Sequence, residues 1–303
     1  MMKQKLLAAV CAMTLMMGVS SVYAETTQND LAHAPVCENL EIETYRNTSV
    51  GGTLSAQDPE GEAVTYQLST EPMKGTVEVQ QDGTFVYTPG ENKRGKDYFG
   101  YKAVDVSGNV SQEATVIIKI KKQKTAVTYD DMAGRPEGYA AAKLAEDGVF
   151  VGTCVAGNYL FQPEETLSRS EFLALCMTLS DTPILTGVMT TGFGDDAAIP
   201  VWAKGYVSTA RMNGDVYGYS DGTRMVFAGD RAITHAEAAV LLDRIVQPET
   251  VLYSESDAVP TWASQAVANL TACSLYPAPL ESDAALTRAE CAVMLTAAME
   301  LMH

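Results

Sequence analysis

The C-terminal half of this chain repeats one short phrase three times, and each copy opens an apolar stretch. In each copy a Ser or Thr stands three positions before a Glu. The copies are Ser168-Arg169-Ser170-Glu171, Thr234-His235-Ala236-Glu237 and Thr287-Arg288-Ala289-Glu290. In such a capping box the hydroxyl accepts the third amide of the helix and the Glu accepts the amide of the cap residue. The phrase predicts three helix starts, with Ser168, Thr234 and Thr287 as caps and Glu171, Glu237 and Glu290 as their partners.

A second helical segment, opened by an aromatic residue, precedes every copy of the phrase. Tyr139, Trp202 and Trp262 each follow an acidic position by seven or eight residues, and small residues follow each of them. Each unit is therefore predicted to be a helix, a loop and a capped helix, with bounds 129–190, 191–250 and 251–303. Because one helix pair cannot cover its own apolar face, we expect an all-α domain with the three units around a central helical bundle.

The region 34–120 has a different texture, since apolar and polar residues alternate between turn signals. The predicted strands are 41–45, 53–56, 63–69, 76–80, 84–88, 98–104 and 114–120. Seven short strands at this spacing favour an antiparallel sandwich. The chain is thus expected to be multidomain, with an all-β Ig-like sandwich, a basic solvated linker at 121–128, and the helical repeats.

The first 24 residues are typical of a secretory signal peptide. Lys3 and Lys5 precede an apolar stretch, and Val22-Tyr23-Ala24 supplies a small-residue cleavage site. The mature chain is predicted to begin with a short segment, 25–33. No later stretch has the ~20 apolar residues of a membrane span. We therefore expect export without a transmembrane anchor.

The net charge limits the classes of binding partner, and the cysteine count limits the possible disulfides. The chain has 38 acidic and 21 basic residues and a formal net charge of −17, so nucleic acid and anionic membranes are poor partners. Five cysteines follow the signal peptide, and an odd count argues against a complete disulfide framework. Cys176 and Cys291 lie in apolar helical patterns as free thiols. Spacing leaves a Cys154–Cys176 pair open.

The sandwich region resembles the bacterial Ig-like or cadherin-like modules of surface proteins. The resemblance rests on Asp58-Pro59-Glu60-Gly61, Gly83-Thr84-Phe85-Val86-Tyr87-Thr88-Pro89 and Asp97-Tyr98-Phe99-Gly100-Tyr101. It implies a spacer or adhesive module with protein partners, and such modules often bind calcium. The candidate ligands are Asp58, Glu60, Asp97 and Asp105, whose oxygens suit calcium. All four also stand in or beside turns, where acidic residues are ordinary.

The threefold unit resembles the S-layer homology domain from about Tyr129 to the C-terminus. The features that carry the resemblance are Thr287-Arg288-Ala289-Glu290, Trp202, the loop Gly218-Tyr219-Ser220-Asp221-Gly222, and Phe161-Gln162-Pro163. Family members bind the secondary polysaccharide of the Gram-positive wall, commonly through a pyruvylated sugar, in grooves between adjacent motifs. The resemblance therefore implies a secreted protein held non-covalently at the bacterial cell surface.

Six residues are candidates for contact with such a glycan. They are Arg169, Arg288, His235, Tyr139, Trp202 and Trp262. A helix start offers backbone amides and a positive dipole to an anion, and an arginine there adds a planar fork for a carboxylate. The aromatic residues are stacking platforms or, alternatively, core anchors. His235 lacks a permanent charge and the loop Tyr276-Pro277-Ala278-Pro279 is short, so some grooves are degenerate on this interpretation.

Two other functions remain to be weighed. Degenerate repeats would serve protein–protein assembly or adhesion without binding glycan. Catalysis has little support, because Gly218-Tyr219-Ser220-Asp221-Gly222 matches a nucleophile elbow but lacks the preceding strand and a suitable downstream His. No spacing of Cys and His suits a metal centre. The chain is therefore predicted not to be an enzyme and to need no cofactor, with calcium as an optional ligand.

Overall fold

The computed structural model describes residues 33–253, 258–276 and 281–302. The predicted signal peptide, the mature segment up to residue 32, and residues 277–280 of the short third loop lie outside the described residues. So do residues 254–257, which carry the acidic start of the third unit, and the C-terminal residue.

The N-terminal region is a β-sandwich, as the alternating pattern predicts. One sheet has the order β2-β9-β8-β5 and the other β3-β7-β6, while β1 and β4 form a short pair. The strands are β1 Val36–Cys37, β2 Leu40–Tyr45, β3 Val50–Thr53, β4 Ala56–Gln57, β5 Val64–Thr70, β6 Gly75–Val79, β7 Thr84–Pro89, β8 Gly95–Asp105 and β9 Ala114–Lys121. The sandwich is not wholly antiparallel, because β2 runs parallel to β9 with Leu40 opposite Val116.

Aromatic residues from both sheets fill the core of the sandwich. Phe85 and Phe99 meet edge to face with ring centroids 5.3 Å apart. The buried Tyr101 donates its hydroxyl to the carbonyls of Glu38 and Ser55 (2.5 and 2.9 Å), which satisfies the polar end of a buried ring. The inward-facing residues are therefore those that the period-two pattern marks as apolar.

Three helix pairs make up the C-terminal region. The helices are α1 Gly138–Glu146, α2 Arg169–Leu179, α3 Lys204–Asn213, α4 His235–Val246, α5 Ser264–Ala272 and α6 Arg288–Met302. The capped helices are α2, α4 and α6, one in each pair. Their buried faces share one core with Phe161, Phe172 and Phe227.

The prediction of an all-α domain is wrong, because the C-terminal region is mixed α/β with small sheets. The loop of the first unit forms a hairpin of β10 Thr153–Val155 and β11 Asn158–Leu160, and that of the second unit pairs β12 Tyr219–Ser220 with β13 Met225–Val226. Ala156 and Gly157 both have positive φ (51° and 90°), the backbone that a two-residue type I′ hairpin turn requires. The turn residues in these loops thus form short hairpins that the helical pattern did not predict.

A closed ring of backbone hydrogen bonds, rather than a helical bundle, stands where the three units meet. The Leu167 amide donates to the Leu286 carbonyl (3.1 Å), Leu286 to Ile233 (2.9 Å), and Ile233 back to Leu167 (3.0 Å). All three side chains are buried. Each residue stands just before a helix cap, so the ring places the three helix starts around one approximate threefold axis.

All five described cysteines are free thiols. Cys154 is exposed on the first hairpin whereas Cys176 is buried in the helical core, so the two do not pair. Burial raises the pKa of the Cys176 and Cys291 thiols, which keeps them protonated as apolar core residues.

Candidate functional site

The three helix starts are closed to a ligand at the backbone. Each has the reciprocal cap contacts, such as the Glu171 amide to the Ser168 hydroxyl (3.2 Å) and the Ser168 amide to the Glu171 carboxylate (2.8 Å). The next two amides donate to carbonyls of the neighbouring unit. These contacts are Arg169 to Arg231 (2.9 Å), Ser170 to Gly229 (2.9 Å), His235 to Ala284 (3.0 Å), Ala236 to Ser282 (3.0 Å), Arg288 to Glu165 (2.8 Å) and Ala289 to Pro163 (3.0 Å).

The expectation that these helix starts offer free amides to an anion is therefore wrong. The repeats use the amides to join one unit to the next, because a buried amide without a partner is costly. Any anion site here must rely on side chains.

Arg169, at the first position of α2, is buried without a close hydrogen-bonding partner. It is 9% exposed, and its Cζ lies 5.0 Å from the ring centre of Tyr219 and 5.3 Å from that of Phe227. Its Nε has no hydrogen-bond partner, and Nη1 reaches only to 4.0 Å from Glu237. Burial lowers the pKa of this guanidinium, although nearby Tyr219 and Glu237 counteract the effect. The side chain is therefore a desolvated cation that lies against the rings of Tyr219 and Phe227.

Glu237 organises the polar side of the same site. Its Oε1 accepts the Tyr219 hydroxyl (2.8 Å) and Arg231 Nη2 (2.6 Å), while Oε2 accepts the Thr234 amide (3.3 Å). Burial opposes ionisation of Glu237, but the bonds from Arg231 and Tyr219 prevail and hold its pKa below the usual value. The cap glutamate therefore fixes the Tyr219 ring against Arg169.

Arg169 of the first unit faces a pocket of about 410 Å³ that is otherwise lined by the second unit and by Trp262 of the third. Its wall combines aromatic faces with charged groups. The lining residues are Arg169, Asp215, Tyr217, Gly218, Tyr219, Glu237, Val240, Leu241, Arg244 and Trp262. Arg244 donates to the Asp215 carbonyl (3.1 Å) and lies over the ring of Tyr217 (4.9 Å). Trp262 is 60% exposed and stands at this opening. The volume suits a sugar-sized ligand.

Arg288 is the equivalent of Arg169 in the third unit, and its guanidinium already has partners within the protein. Its Nη1 donates to Gln162 Oε1 (2.8 Å), its Nη2 lies 3.0 Å from Glu165 Oε2, and its Cζ lies 5.6 Å from the ring centre of Phe150. The adjoining cavity measures only about 10 Å³. That space holds no more than about one water molecule, so this position has no room for a sugar.

His235 occupies the third equivalent position and is enclosed. Its Nδ1 lies 3.0 Å from the Glu281 carbonyl oxygen. Its Nε2 lies 3.2 Å from Glu290, but outside hydrogen-bond geometry, so that contact is electrostatic. Burial opposes ionisation of Glu290, but the hydrogen bonds from Thr287 and the charge interaction with nearby His235 hold the pKa of Glu290 below its usual value.

The three aromatic candidates lie in three different environments. Trp262 joins Arg169 in the pocket. Trp202 is 53% exposed and contacts Tyr206 edge to face with centroids 6.4 Å apart. Tyr139 packs instead against Tyr45 of the sandwich, with centroids 5.3 Å apart. Of the six candidate glycan contacts, the structure brings only Arg169 and Trp262 together at one pocket.

Three of the four calcium candidates serve a local turn or a buried contact, and the fourth, Glu60, takes part in an exposed contact. Asp97 accepts the amides of Met73 and Lys74 (3.0 and 2.8 Å), and Asp105 accepts the Asn109 amide (2.8 Å). Asp58 Oδ1 accepts the Glu60 and Glu62 amides, both at 2.9 Å. Glu60 pairs with His33 (3.0 Å). Across residues 33–253, 258–276 and 281–302 no three His, Cys, Asp or Glu residues gather to hold a metal, and optional calcium binding stays a prediction.

Sequence reasoning missed most of the polar pocket wall. Asp215, Tyr219 and Arg244 were not candidates, although Tyr219 lies inside the glycine loop and Arg244 in the last turn of a capped helix. The available signal was helical spacing, since Glu237, Leu241 and Arg244 recur at intervals of three and four along one face of α4.

Two family models match this chain. Residues 29–122 match the bacterial cadherin-like domain, and residues 192–239 match the S-layer homology domain. The chain carries a cadherin-like domain followed by an S-layer homology domain. The matched S-layer homology segment is the second unit, which supplies most of the pocket. This domain indicates anchoring at the cell surface, and both matched domains are non-catalytic modules. Among the described helices, none is both long and apolar enough to cross a bilayer.

Solved structures resemble only a part of the chain. An endo-fucoidan hydrolase of glycoside hydrolase family 107 aligns over 30% of this chain and 14% of its own, at 19% identity and a TM-score of 0.25. A variant of the SrpA adhesin from Streptococcus sanguinis aligns over 32% and 66%, at 20% identity and a TM-score of 0.25. The PKD domain of an M14-like peptidase from a Thermoplasmatales archaeon aligns over 30% and 99%, at 18% identity and a TM-score of 0.23. No curated protein matches.

Proposed function

We propose that this chain is an exported protein anchored non-covalently to the cell wall through an anionic secondary polysaccharide, with the cadherin-like domain as the displayed module. Residues 129–190 and 251–303 are diverged copies of the S-layer homology unit matched at 192–239. The chain is a binding protein and not an enzyme. The observation that carries the proposal is Arg169, a buried guanidinium without a close partner, facing a pocket beside Trp262.

The electrostatics of Arg169 favour an anionic ligand despite the acidic chain. The nearest carboxylate, Glu237, is 4.0 Å away and already accepts from Arg231 and Tyr219. A carboxylate or ketal on a sugar would give the guanidinium the bidentate partner it lacks. Because charges more than about 8 Å apart are largely screened at physiological salt, the net charge of the chain has little influence on this local contact.

The aromatic wall suits the body of a sugar ring. Trp262 and Tyr217 both expose apolar faces at the opening, while Arg169 and Tyr219 lie deeper. A pyruvylated sugar has this division, with an acidic substituent on a ring whose C–H faces are apolar. The ligand is therefore an anionic sugar of the Gram-positive wall, held with its acid inward.

Binding to wall sacculi tests the proposal. The full chain should sediment with sacculi that retain their polysaccharide and should remain in solution with sacculi stripped of it. Arg169→Gln should weaken binding by about 30-fold or more, equivalent to about 2 kcal/mol, because the buried charge pair is lost. Measurement of bound protein against sacculus concentration gives both numbers.

Arg224→Gln supplies a matched control. Arg224 belongs to the hairpin of the second unit, but it is exposed and pairs with Asp221, outside the pocket. Its binding curve should match that of the unmodified chain. Equal binding to stripped sacculi, or full retention by a folded Arg169→Gln variant, would contradict the proposal.

Protein–protein assembly through degenerate repeats is the second candidate. Val201 is 85% exposed next to the half-exposed Trp202, an adjacent apolar pair on the surface of the second unit. Two results together would favour this function over the first. The chain would form a defined oligomer in solution that Trp202→Ala dissociates, and it would not bind any wall preparation.

A further inference from the structure

The approximate threefold arrangement gives the Arg169 pocket a counterpart one unit further on. The cap register aligns three residues of α4 with three of α6, and the first-helix aromatics align in the same way. The equivalent pairs are Glu237 with Glu290, Val240 with Val293, Arg244 with Ala297, and Trp262 with Tyr139. We call this counterpart, formed by Tyr139, Val293 and Ala297, the Tyr139 groove. By the cap register, His235 is the equivalent of Arg169.

The Tyr139 groove faces the cadherin-like domain instead of solvent. A cleft of about 330 Å³ remains between them, with the groove on one side and strands β2 and β3 on the other. The sandwich residues at this cleft are Glu41, Ile42, Glu43, Val50 and Gly51. Tyr45, at the end of β2, packs against the ring of Tyr139. The sandwich thus covers Tyr139, whereas the equivalent Trp262 stands at an open pocket.

Two glycines allow the backbones of the two domains to approach closely. The Gly51 amide on edge strand β3 donates to the Pro136 carbonyl (2.8 Å). A Cβ at Gly51 would lie 2.5 Å from Pro136 Cβ, and one at Gly138 would lie 2.9 Å from the Ser49 carbonyl oxygen. The helical region therefore satisfies an amide on an otherwise open sheet edge, at sites that admit no side chain.

The segment that joins the domains is fixed to α1 rather than free. The Lys124 amide donates to Glu146 Oε2 (2.8 Å), and Gln123 Nε2 donates to the Ala142 carbonyl (3.4 Å). The Glu146 side chain is only 7% exposed. The expected solvated linker at 121–128 is thus a bound segment, and strand β9 itself extends to Lys121.

We propose that the Tyr139 groove is the docking site of the chain's own cadherin-like domain, which holds both domains as one rigid unit. The Tyr139 groove lacks the arginine of the Arg169 pocket, because His235 stands at the equivalent position. The cleft is lined by Glu41, Glu43 and Glu300, so it does not favour an anionic sugar. The interface is independent of the glycan, so it goes beyond the wall-binding function.

Substitution of Gly51 in the full chain tests the docking. Gly51→Val keeps a residue that favours strands but drives its side chain into Pro136. Thr53→Val is the matched control, because Thr53 is exposed on the same strand. Tryptic cleavage after Lys122 or Lys124 should become at least about tenfold faster in Gly51→Val than in the control. Small-angle scattering should show a larger radius of gyration for Gly51→Val alone.

A second variant guards against a local folding defect. Tyr139→Ala leaves the sandwich sequence untouched and removes the ring that Tyr45 contacts, so it should accelerate cleavage in the same direction. Equal cleavage rates and radii for the unmodified chain and both variants would overturn the proposal, as would independent tumbling of the two domains in the unmodified chain. Each readout is made without glycan, so a failure of wall binding leaves it intact.

Discussion

Arg169 and Arg288 hold the same place in the same phrase, yet the structure treats them differently. Arg288 is paired with Gln162 and Glu165 and adjoins a cavity of about 10 Å³. Arg169 has no carboxylate closer than Glu237, which is 4.0 Å away, and it faces a pocket of about 410 Å³. The phrase determines where a helix begins, whereas residues of the neighbouring unit determine whether its arginine is available to a ligand.

The third position extends the comparison. His235 holds the position equivalent to Arg169, and the counterpart of the Arg169 pocket is here the Tyr139 groove, which the cadherin-like domain covers. One approximate threefold arrangement therefore contains an open pocket, a closed ion pair and a covered groove. The backbone contacts at the helix starts are alike in all three, so the differences come from the side chains and, at the covered groove, from the cadherin-like domain.

Besides wall binding, the two arginines are expected to differ in their contribution to stability. Arg288→Gln should lower the free energy of unfolding by about 1–2 kcal/mol, because it removes a partly exposed ion pair and a charged hydrogen bond. Arg169→Gln should change it by less than about 0.5 kcal/mol, since it removes no close hydrogen bond and relieves a desolvated charge. Urea unfolding of each variant measures both values.

Wall binding of the same variants completes this test. Arg288→Gln should bind sacculi as the unmodified chain does at a temperature where it is folded. If Arg169→Gln proved the more destabilised of the two, its guanidinium would be a structural group and the contrast would fail.

The two tryptophans sharpen the contrast at the ligand end of the pocket. Trp262 lines the pocket, whereas the equivalent Trp202 contacts Tyr206. Trp262→Ala should weaken binding to sacculi about fivefold, or about 1 kcal/mol, through loss of a contact face. Trp202→Ala should leave affinity unchanged. Similar losses in both variants would mean that the first-helix aromatics act as structural anchors rather than as part of this pocket.

Much of the fold follows from local sequence rules. Alternation predicted the sandwich, and the Ser or Thr three residues before Glu predicted each capped helix, because both signals act within a few residues. The hairpins in the repeats were missed, since they depend on positive φ at Ala156 and on strands of two or three residues. The ring at Leu167 was also missed, because it joins residues distant in sequence.

The pocket was less predictable than the fold. Arg169 and Trp262 were candidates from their positions in the repeat, but Arg288 shares that position and is closed. Distinguishing the two requires Glu165 and Gln162 to be placed beside Arg288, a contact across more than 120 residues. The docking of the sandwich on Tyr139 was likewise invisible, because a glycine at an interface has the same sequence signature as one in a turn.

The smallest expected effect concerns acid. The pKa of Glu237 is depressed in the folded chain by Arg231 and Tyr219, which overcome the effect of burial. A depressed carboxyl pKa stabilises the fold above the unfolded value of about 4.3, and that contribution disappears as the pH falls through the folded value. Glu237→Gln should therefore cost up to about 1 kcal/mol at pH 6 and almost nothing near pH 2.

Glu171→Gln separates this effect from the loss of a helix cap. Glu171 makes the same cap contacts, but its hydrogen bonds go only to Ser168. Both variants lose a cap, and only Glu237→Gln also loses the contacts to Arg231 and Tyr219. Urea unfolding between pH 2 and 6 should therefore show that Glu237→Gln removes more of the pH dependence of the unfolding free energy than Glu171→Gln does. Identical curves would mean that Glu237 acts as a cap alone and does not hold Tyr219 in the pocket.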